Sequence, residues 1–118
     1  MRQVRLGDRV LVADLKVAHN VVQRTRGLML ARPQAPGQGL EIRPCNSIHM
    51  MFMRSRIDAV FFDRQLRVVK VSSNLPTWWG LSFGGRKAAG VLELPPGAAT
   101  GVQVGDQLEW VELPQGGA

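Results

Sequence analysis

Apolar and polar positions change spacing several times along this chain, and each change marks an element. Over residues 4–17 the alternation is imperfect, with Val10, Val12 and Leu15 apolar and Gly7-Asp8 supplying a turn signal. The pattern predicts one strand over 9–13, continuing after a bend through 16–18. From Asn20, a suitable N-cap, the interval lengthens: Val21, Arg24, Thr25 and Leu28 recur at helical spacing, and Met29 widens the apolar face. A short helix of roughly two to three turns is expected there. Gly27 weakens it and Pro33 ends it. Pro36, Gly37 and Gly39 make 34–39 a loop, followed by a short strand over 40–43 and a break at Pro44.

The stretch 45–71, CNSIHMMFMRSRIDAVFFDRQLRVVKV, is the densest β-forming part of the chain. It holds the only Cys, one of two His and three of five Met. As extended chain it places Ser47, His49, Met51 and Met53 on one face and Ile48, Met50 and Phe52 on the other. Arg54-Ser55-Arg56 interrupts the pattern as a bend, and 57–62 resumes as a nearly continuous apolar run, the mark of a strand covered on both faces. Residues 67–71 form its antiparallel partner across Asp63-Arg64-Gln65-Leu66, giving a β-hairpin. The region 72–90 is the least regular, with Pro76, glycines at 80, 84, 85 and 90, and the aromatics Trp78, Trp79 and Phe83. The adjacent tryptophans either fold back over the core or face a partner; the first is preferred, because large exposed apolar groups need a specific reason.

A further strand is expected over 89–94, then a helical turn from Pro95-Pro96-Gly97 toward Thr100, then a turn at Gly105-Asp106 into a last strand over 107–111. The total is a mainly β (α+β) fold: a compact barrel-like or rolled sheet of about six or seven short strands, with one short helix and an additional helical turn.

A length of 118 residues fits a single domain over 1–113, with 114–118 as a flexible C-terminal tail. The 45% hydrophobic and 20% charged composition belongs to an ordinary globular chain. Fifteen Lys plus Arg, mostly Arg, against nine Asp plus Glu leave a formal charge of +6. That balance favours encounter with nucleic acid, anionic lipid or acidic protein without fixing which. One Cys makes no internal disulfide and points to a reducing compartment. Asp8, Arg9 and Asp14 fall where a signal peptide needs its apolar core, and no run is long enough for a membrane span, so the cytoplasm is the expected location.

His49 and Asp58 are the first candidates for chemistry. A carboxylate inside an apolar strand is costly unless paired, and for Asp58 the partner could be His49, Arg54, Arg56 or backbone amides at the strand bend. The pair could bind a ligand or move protons, or it could be a structural network that pins the bend; the structural reading is preferred, because buried polar groups need partners in either case. Cys45 as a nucleophile activated by His49 is disfavoured, since four extended residues separate the two by roughly 13 Å. Cys45, His49, Met51 and Met53 could share a face as soft metal donors, but they match no closed zinc pattern, and no metal ligand is assigned. Glu93 caps the following turn or pairs with an Arg, and Asp106 reads as turn chemistry. Arg54, Arg56, Arg64 and Arg67, with Arg43 and Lys70 nearby, could make a basic rim that grips phosphate or carboxylate, or a solvated strand edge.

Several ordered motifs resemble the domain-of-unknown-function 192 family: Arg26-Gly27-Leu28-Met29; Cys45-Asn46-Ser47-Ile48-His49 with Phe52-Met53; Ile57-Asp58-Ala59-Val60-Phe61; Val91-Leu92-Glu93-Leu94-Pro95 with Gly97; and Val104-Gly105-Asp106. The chain departs from the family where Arg56 replaces a frequent Pro and where Gln65-Leu66 replaces Asp-Gly in the hairpin turn. Without Gly, a two-residue turn needing positive φ twice is unfavourable, and a different or longer connection is expected. The resemblance implies a small, mainly β prokaryotic domain, sometimes behind an export signal, with no established reaction.

The expected function is a non-catalytic binding module for a small anionic ligand or an acidic protein segment. Its site would be bordered by His49, Met51, Met53, Arg54, Asp58, Trp78 and Trp79, with no catalytic residue and no cofactor assigned. A metal-assisted or His/Asp-dependent hydrolase is the alternative. Nucleic-acid binding through the basic hairpin is third, since no recognised nucleic-acid motif is present.

Overall fold

In the computed structural model the described residues are 2–18, 35–44, 47–49, 56–76 and 81–114. They form ten strands: β1 (Arg2–Leu6), β2 (Arg9–Val12), β3 (Asp14–Ala18), β4 (Gln38–Ile42), β5 (Ser47–His49), β6 (Ile57–Phe62), β7 (Val68–Leu75), β8 (Leu81–Phe83), β9 (Gly90–Leu94) and β10 (Glu109–Glu112). The expected helix over 20–33, the two tryptophans at 78 and 79, and the tail beyond Pro114 lie outside these residues. Among the described residues there is no α-helix.

The central element is β6, and its sequence explains its place. All six of its residues are buried, because it sits inside a five-stranded sheet of order β3-β4-β9-β6-β7 with apolar layers on both faces. Val60 and Phe62 join Leu92 and Leu94 on one face, with Val4, Leu11, Val12, Leu15, Ala99, Val102 and Leu108 packed against them. Ile57, Ala59 and Phe61 join Leu40, Ile42, Leu75 and Val91 on the other. Removing a Phe side chain from water contributes about 2–3 kcal/mol, so the Phe61 and Phe62 pair, one to each face, anchors both layers.

The first face is covered by a three-stranded antiparallel sheet, β10-β1-β2, and by the 95–108 segment. Over the second face, Ser82 of β8 is buried, with its hydroxyl 2.6 Å from that of Ser72. Gly84 lies so close to Phe61 that a Cβ would fall 2.5 Å from its ring. β8 pairs antiparallel with β5 in a separate two-stranded sheet. A Cα radius of gyration of 13.2 Å is what compact packing of a chain this long gives.

Among the described residues none of the three sheets closes into a barrel, which corrects the barrel-like one of the two expected forms. The reason lies at Ala13, the single residue between β2 and β3. The amides of Ala13 and Asp14 both donate to the carbonyl of Gly37, at 2.8 and 2.9 Å. The chain leaves one ladder and enters another there, so the sheets stack as layers. The strand count is also corrected, from about six or seven to ten among the described residues alone. β1 escapes the periodicity because only Val4 of its five residues is buried. β8 inverts the usual pattern: Leu81 and Phe83 are exposed while Ser82 is buried.

The expected helical turn after Pro95 is instead a run of separate turns. Ala98 N–H donates to Pro95 O, Thr100 N–H to Gly97 O and Val102 N–H to Ala99 O, at 3.0, 3.1 and 3.0 Å. Gly97 and Gly101 adopt φ of 88° and 84°, a left-handed geometry that ends a right-handed helix before it starts.

The β6–β7 hairpin follows the expected longer connection. Asp63 N–H donates to Arg67 O at 2.9 Å, which closes a three-residue loop with Leu66 at φ 65°. This is a tight turn followed by a left-handed residue. β7 runs on to Leu75, past the expected end at 71. Gln107 makes only an isolated bridge to Arg67 before β10 begins.

Candidate functional site

Of the residues singled out from sequence, Asp58 is described in full. It is 1% exposed on β6, and its carboxylate is closed on backbone amides. Oδ1 accepts from the N–H of Asn74 at 2.7 Å, and Oδ2 from the N–H groups of Gly97 and Ala99 at 3.0 and 2.9 Å. Asn74 is available because the β6–β7 register slips between Ile57 and Ala59, and Asn74 turns left-handed at φ 54°. The 95–101 turns are held from their other side by Arg9, which donates to the carbonyls of Thr100 and Ala98 at 2.6 and 2.7 Å. A carboxylate and a guanidinium thus clamp one glycine-rich segment, the first filling its amides and the second its carbonyls. Backbone amides were among the partners expected for Asp58, but they come from β7 and the 95–101 turns. Arg56 reaches Asn74 O at 3.4 Å, a weak contact.

His49 lies in β5 with Leu81 of β8 as its register partner. Cys45, Met51, Met53, Arg54, Trp78 and Trp79 lie outside the described residues. Glu93 is fully buried on β9, opposite Leu40 and Ala59. Asp106 accepts from Gln103 N–H at 2.8 Å, the expected turn chemistry. Arg67 donates to Gly105 O at 3.2 Å and so serves the same turn. Among the described residues no group of three or more His, Cys, Asp or Glu is placed to hold a metal ion, and no helix is long and apolar enough to cross a membrane.

What the topology does bring together is a different group. An open cleft of about 400 Å³ is lined by Arg2, Arg43, Arg64, Leu66, Trp110, Val111 and Glu112. Behind two of these residues, Arg43 and Trp110, lies Glu41 of β4, which is 4% exposed. Glu41 faces the same side of the sheet as Leu92, its register partner. Glu41 Oε2 and Oε1 accept from Nε and Nη2 of Arg43 at 2.9 and 3.3 Å, and Oε1 also accepts the indole N–H of Trp110. The Arg43 guanidinium is held over Phe62 and Trp110, at 5.0 and 5.3 Å from the ring centroids. Phe62 and Trp110 meet edge to face at 5.0 Å and 65°. Cation–π and edge-to-face contacts are each worth about 0.5–1.5 kcal/mol, so Arg43 is seated from three sides.

The rim comes from elements far apart in sequence. Antiparallel pairing of β1 with β10 sets Arg2 opposite Glu112, and the two form an exposed ion pair at 3.0 Å. Arg64 stands on the β6–β7 turn, whose shape is fixed by Asp63: Oδ1 accepts from the N–H groups of Gln65 and Arg67, each at 2.9 Å. Leu66, next on that turn, forms part of the wall. Arg43 and Arg64 belonged to the basic cluster seen in the sequence. Arg2, Glu41 and Trp110 were not singled out, and no local spacing marks them, because they come from strands far apart in sequence; Leu66 was noticed only for the turn it shapes.

A small layered β protein with a buried carboxylate beneath an arginine-lined cleft is the class that this geometry defines. The family model for domain of unknown function 192, described as an uncharacterized ACR, matches residues 2–110, and the chain belongs to that family. A UPF0127 protein of Pyrococcus furiosus is 33% identical over 118 aligned positions, covering 93% of this chain and 97% of the relative. A Sinorhizobium meliloti 1021 protein, provisionally named a transcription regulator, has a crystal structure that superposes with a TM-score of 0.78 at 25% identity, covering 93% of this chain and 94% of that one. A protein of unknown function from Novosphingobium aromaticivorans DSM 12444 shares the fold, with a TM-score of 0.72 at 21% identity over 81% of this chain and 74% of that one.

Proposed function

We propose that this protein is a non-catalytic binding module that takes a small anionic ligand in the cleft between Arg2, Arg43, Arg64 and Trp110. The observation that carries this reading is the seating of Arg43. A buried carboxylate fixes Nε and Nη2, two aromatic rings lie against the guanidinium, and Nη1 takes no part in the bonds to that carboxylate. A guanidinium whose orientation is settled before a ligand arrives loses little freedom on binding it. Arg64 makes no ion pair or hydrogen bond among the described residues, so a second cation is available at the rim.

The closure of Asp58 on three amides supports a scaffold role for that carboxylate over a His/Asp hydrolase. Calorimetric titration of the full chain with a panel of small anions tests the reading. Saturable binding that weakens about tenfold in Arg64→Ala is the expected result, and no anion binding at millimolar concentration would end it.

Nucleic acid is the second reading, supported by the formal charge of +6 and by the name given to the S. meliloti relative. It predicts affinity that falls steeply with added salt. Glu41 and Glu112 beside the arginines argue against a phosphate backbone in this cleft.

A further inference from the structure

Resting on the anion-binding reading, we infer that the cleft selects an aromatic monocarboxylate, and that Glu41 is the residue that sets this class. Charge is the first ground. Among the described side chains, the three guanidinium groups of Arg2, Arg43 and Arg64 stand against two carboxylates, of Glu112 in the lining and of Glu41 behind it, which leaves a formal charge of +1. A monoanion balances that cleft, whereas a dianion such as phosphate brings a second negative charge toward Glu41 and Glu112.

The second ground is the wall. Trp110 has already given its indole N–H to Glu41, so the rest of the ring offers only apolar surface. Leu66 continues that surface, whereas the Val111 side chain, next to Trp110 on β10, alternates to the other face of the strand. Leu66 stands at φ 65°, a conformation uncommon for a bulky side chain and retained only where the surroundings fix it. Packing of Leu66 on the core accounts for part of that; its other consequence is a rigid apolar edge beside Arg64. A flat ring against Trp110 and Leu66 would bring its carboxylate to the remaining N–H groups of Arg43 and to Arg64, where two N–H donors match two carboxylate oxygens. A cleft of about 400 Å³ holds a ring of that size with room for water.

The experiment is calorimetric titration of the full chain with sodium benzoate, sodium acetate, inorganic phosphate and neutral benzamide, repeated on Glu41→Gln and Arg64→Ala. Benzoate is expected to bind at least about tenfold more tightly than the other three. Arg64→Ala should weaken benzoate by about tenfold, and Glu41→Gln, which adds one unit of positive charge, should narrow the benzoate-to-phosphate ratio by about tenfold. Arg64 is exposed, so its variant remains informative if Glu41→Gln folds poorly. Acetate or phosphate binding as tightly as benzoate overturns the ligand class while leaving the cleft as an anion site. A benzoate-to-phosphate ratio unchanged in folded Glu41→Gln overturns the role of Glu41. Failure of every anion to bind, or binding indifferent to Arg64→Ala, overturns the cleft itself.

Discussion

Asp58 and Glu41 are both carboxylates taken almost out of water, at 1% and 4% exposure, and they face the same side of the five-stranded sheet through its register. They differ in what fills their oxygens. Asp58 is closed on three backbone amides from β7 and the 95–101 turns, so its charge is spent inside the fold. Glu41 is closed on a guanidinium and an indole, and the Arg43 side chain that carries the guanidinium is 39% exposed with donors to spare. A buried carboxylate satisfied by backbone fixes architecture, while one satisfied by a half-exposed cation fixes the direction in which that cation acts.

The largest effect should come from breaking the first of these. Asp58→Ala removes three charge-assisted hydrogen bonds and strands the amides that made them, for an expected loss on the order of 4 kcal/mol, read as a lower urea midpoint. A loss under about 1 kcal/mol would show that the clamp on the 95–101 turns is dispensable. Next comes the floor of the cleft. At Gly90 a Cβ would stand 2.7 Å from Phe62 Cζ and 2.9 Å from the carbonyl oxygen of Ile42, and backbone yields less readily than a side chain. Gly90→Ala is expected to cost about 2 kcal/mol in thermal unfolding. Because Phe62 supports Arg43, it should also weaken anion binding.

Glu41→Gln sharpens the comparison from the other side. Its partner is partly solvated, so the stability cost should be only about 1 kcal/mol, with the larger consequence in ligand preference. Arg64→Ala is the smallest structural change. Its stability should stay within about 0.5 kcal/mol of the parent while anion affinity drops. If Arg64→Ala unfolds the protein as readily as Asp58→Ala, the proposed division between scaffold and site is wrong.

The legibility of the sequence follows the same division. Residues 57–62 read correctly as a strand buried on both faces, because every side chain there is apolar except Asp58, whose need for partners was itself legible. The residues answering that need, Gly97 and Ala99, were not, since they sit about forty positions away and reach β6 only through tertiary packing. The hairpin turn was legible as chemistry: the absence of Gly at Gln65-Leu66 made a two-residue loop unfavourable, and the chain takes a three-residue one with Leu66 left-handed. β8 was hidden because its apolar residues face outward, and β1 because a single buried Val sets no period. The cleft was half visible. Arg43 and Arg64 belonged to a noticed cluster, but Arg2 and Trp110 join them only when the two ends of the chain pair as β1 and β10.

The most direct test is a benzoate titration of the isotopically labelled full chain, followed by NMR. Saturable movement of the Trp110 indole N–H signal, while the backbone amides of Asn74, Gly97 and Ala99 stay still, is the predicted result. Saturable shifts at those three amides with Trp110 unmoved would contradict the account, placing the ligand at Asp58 and leaving the arginine-lined cleft as surface.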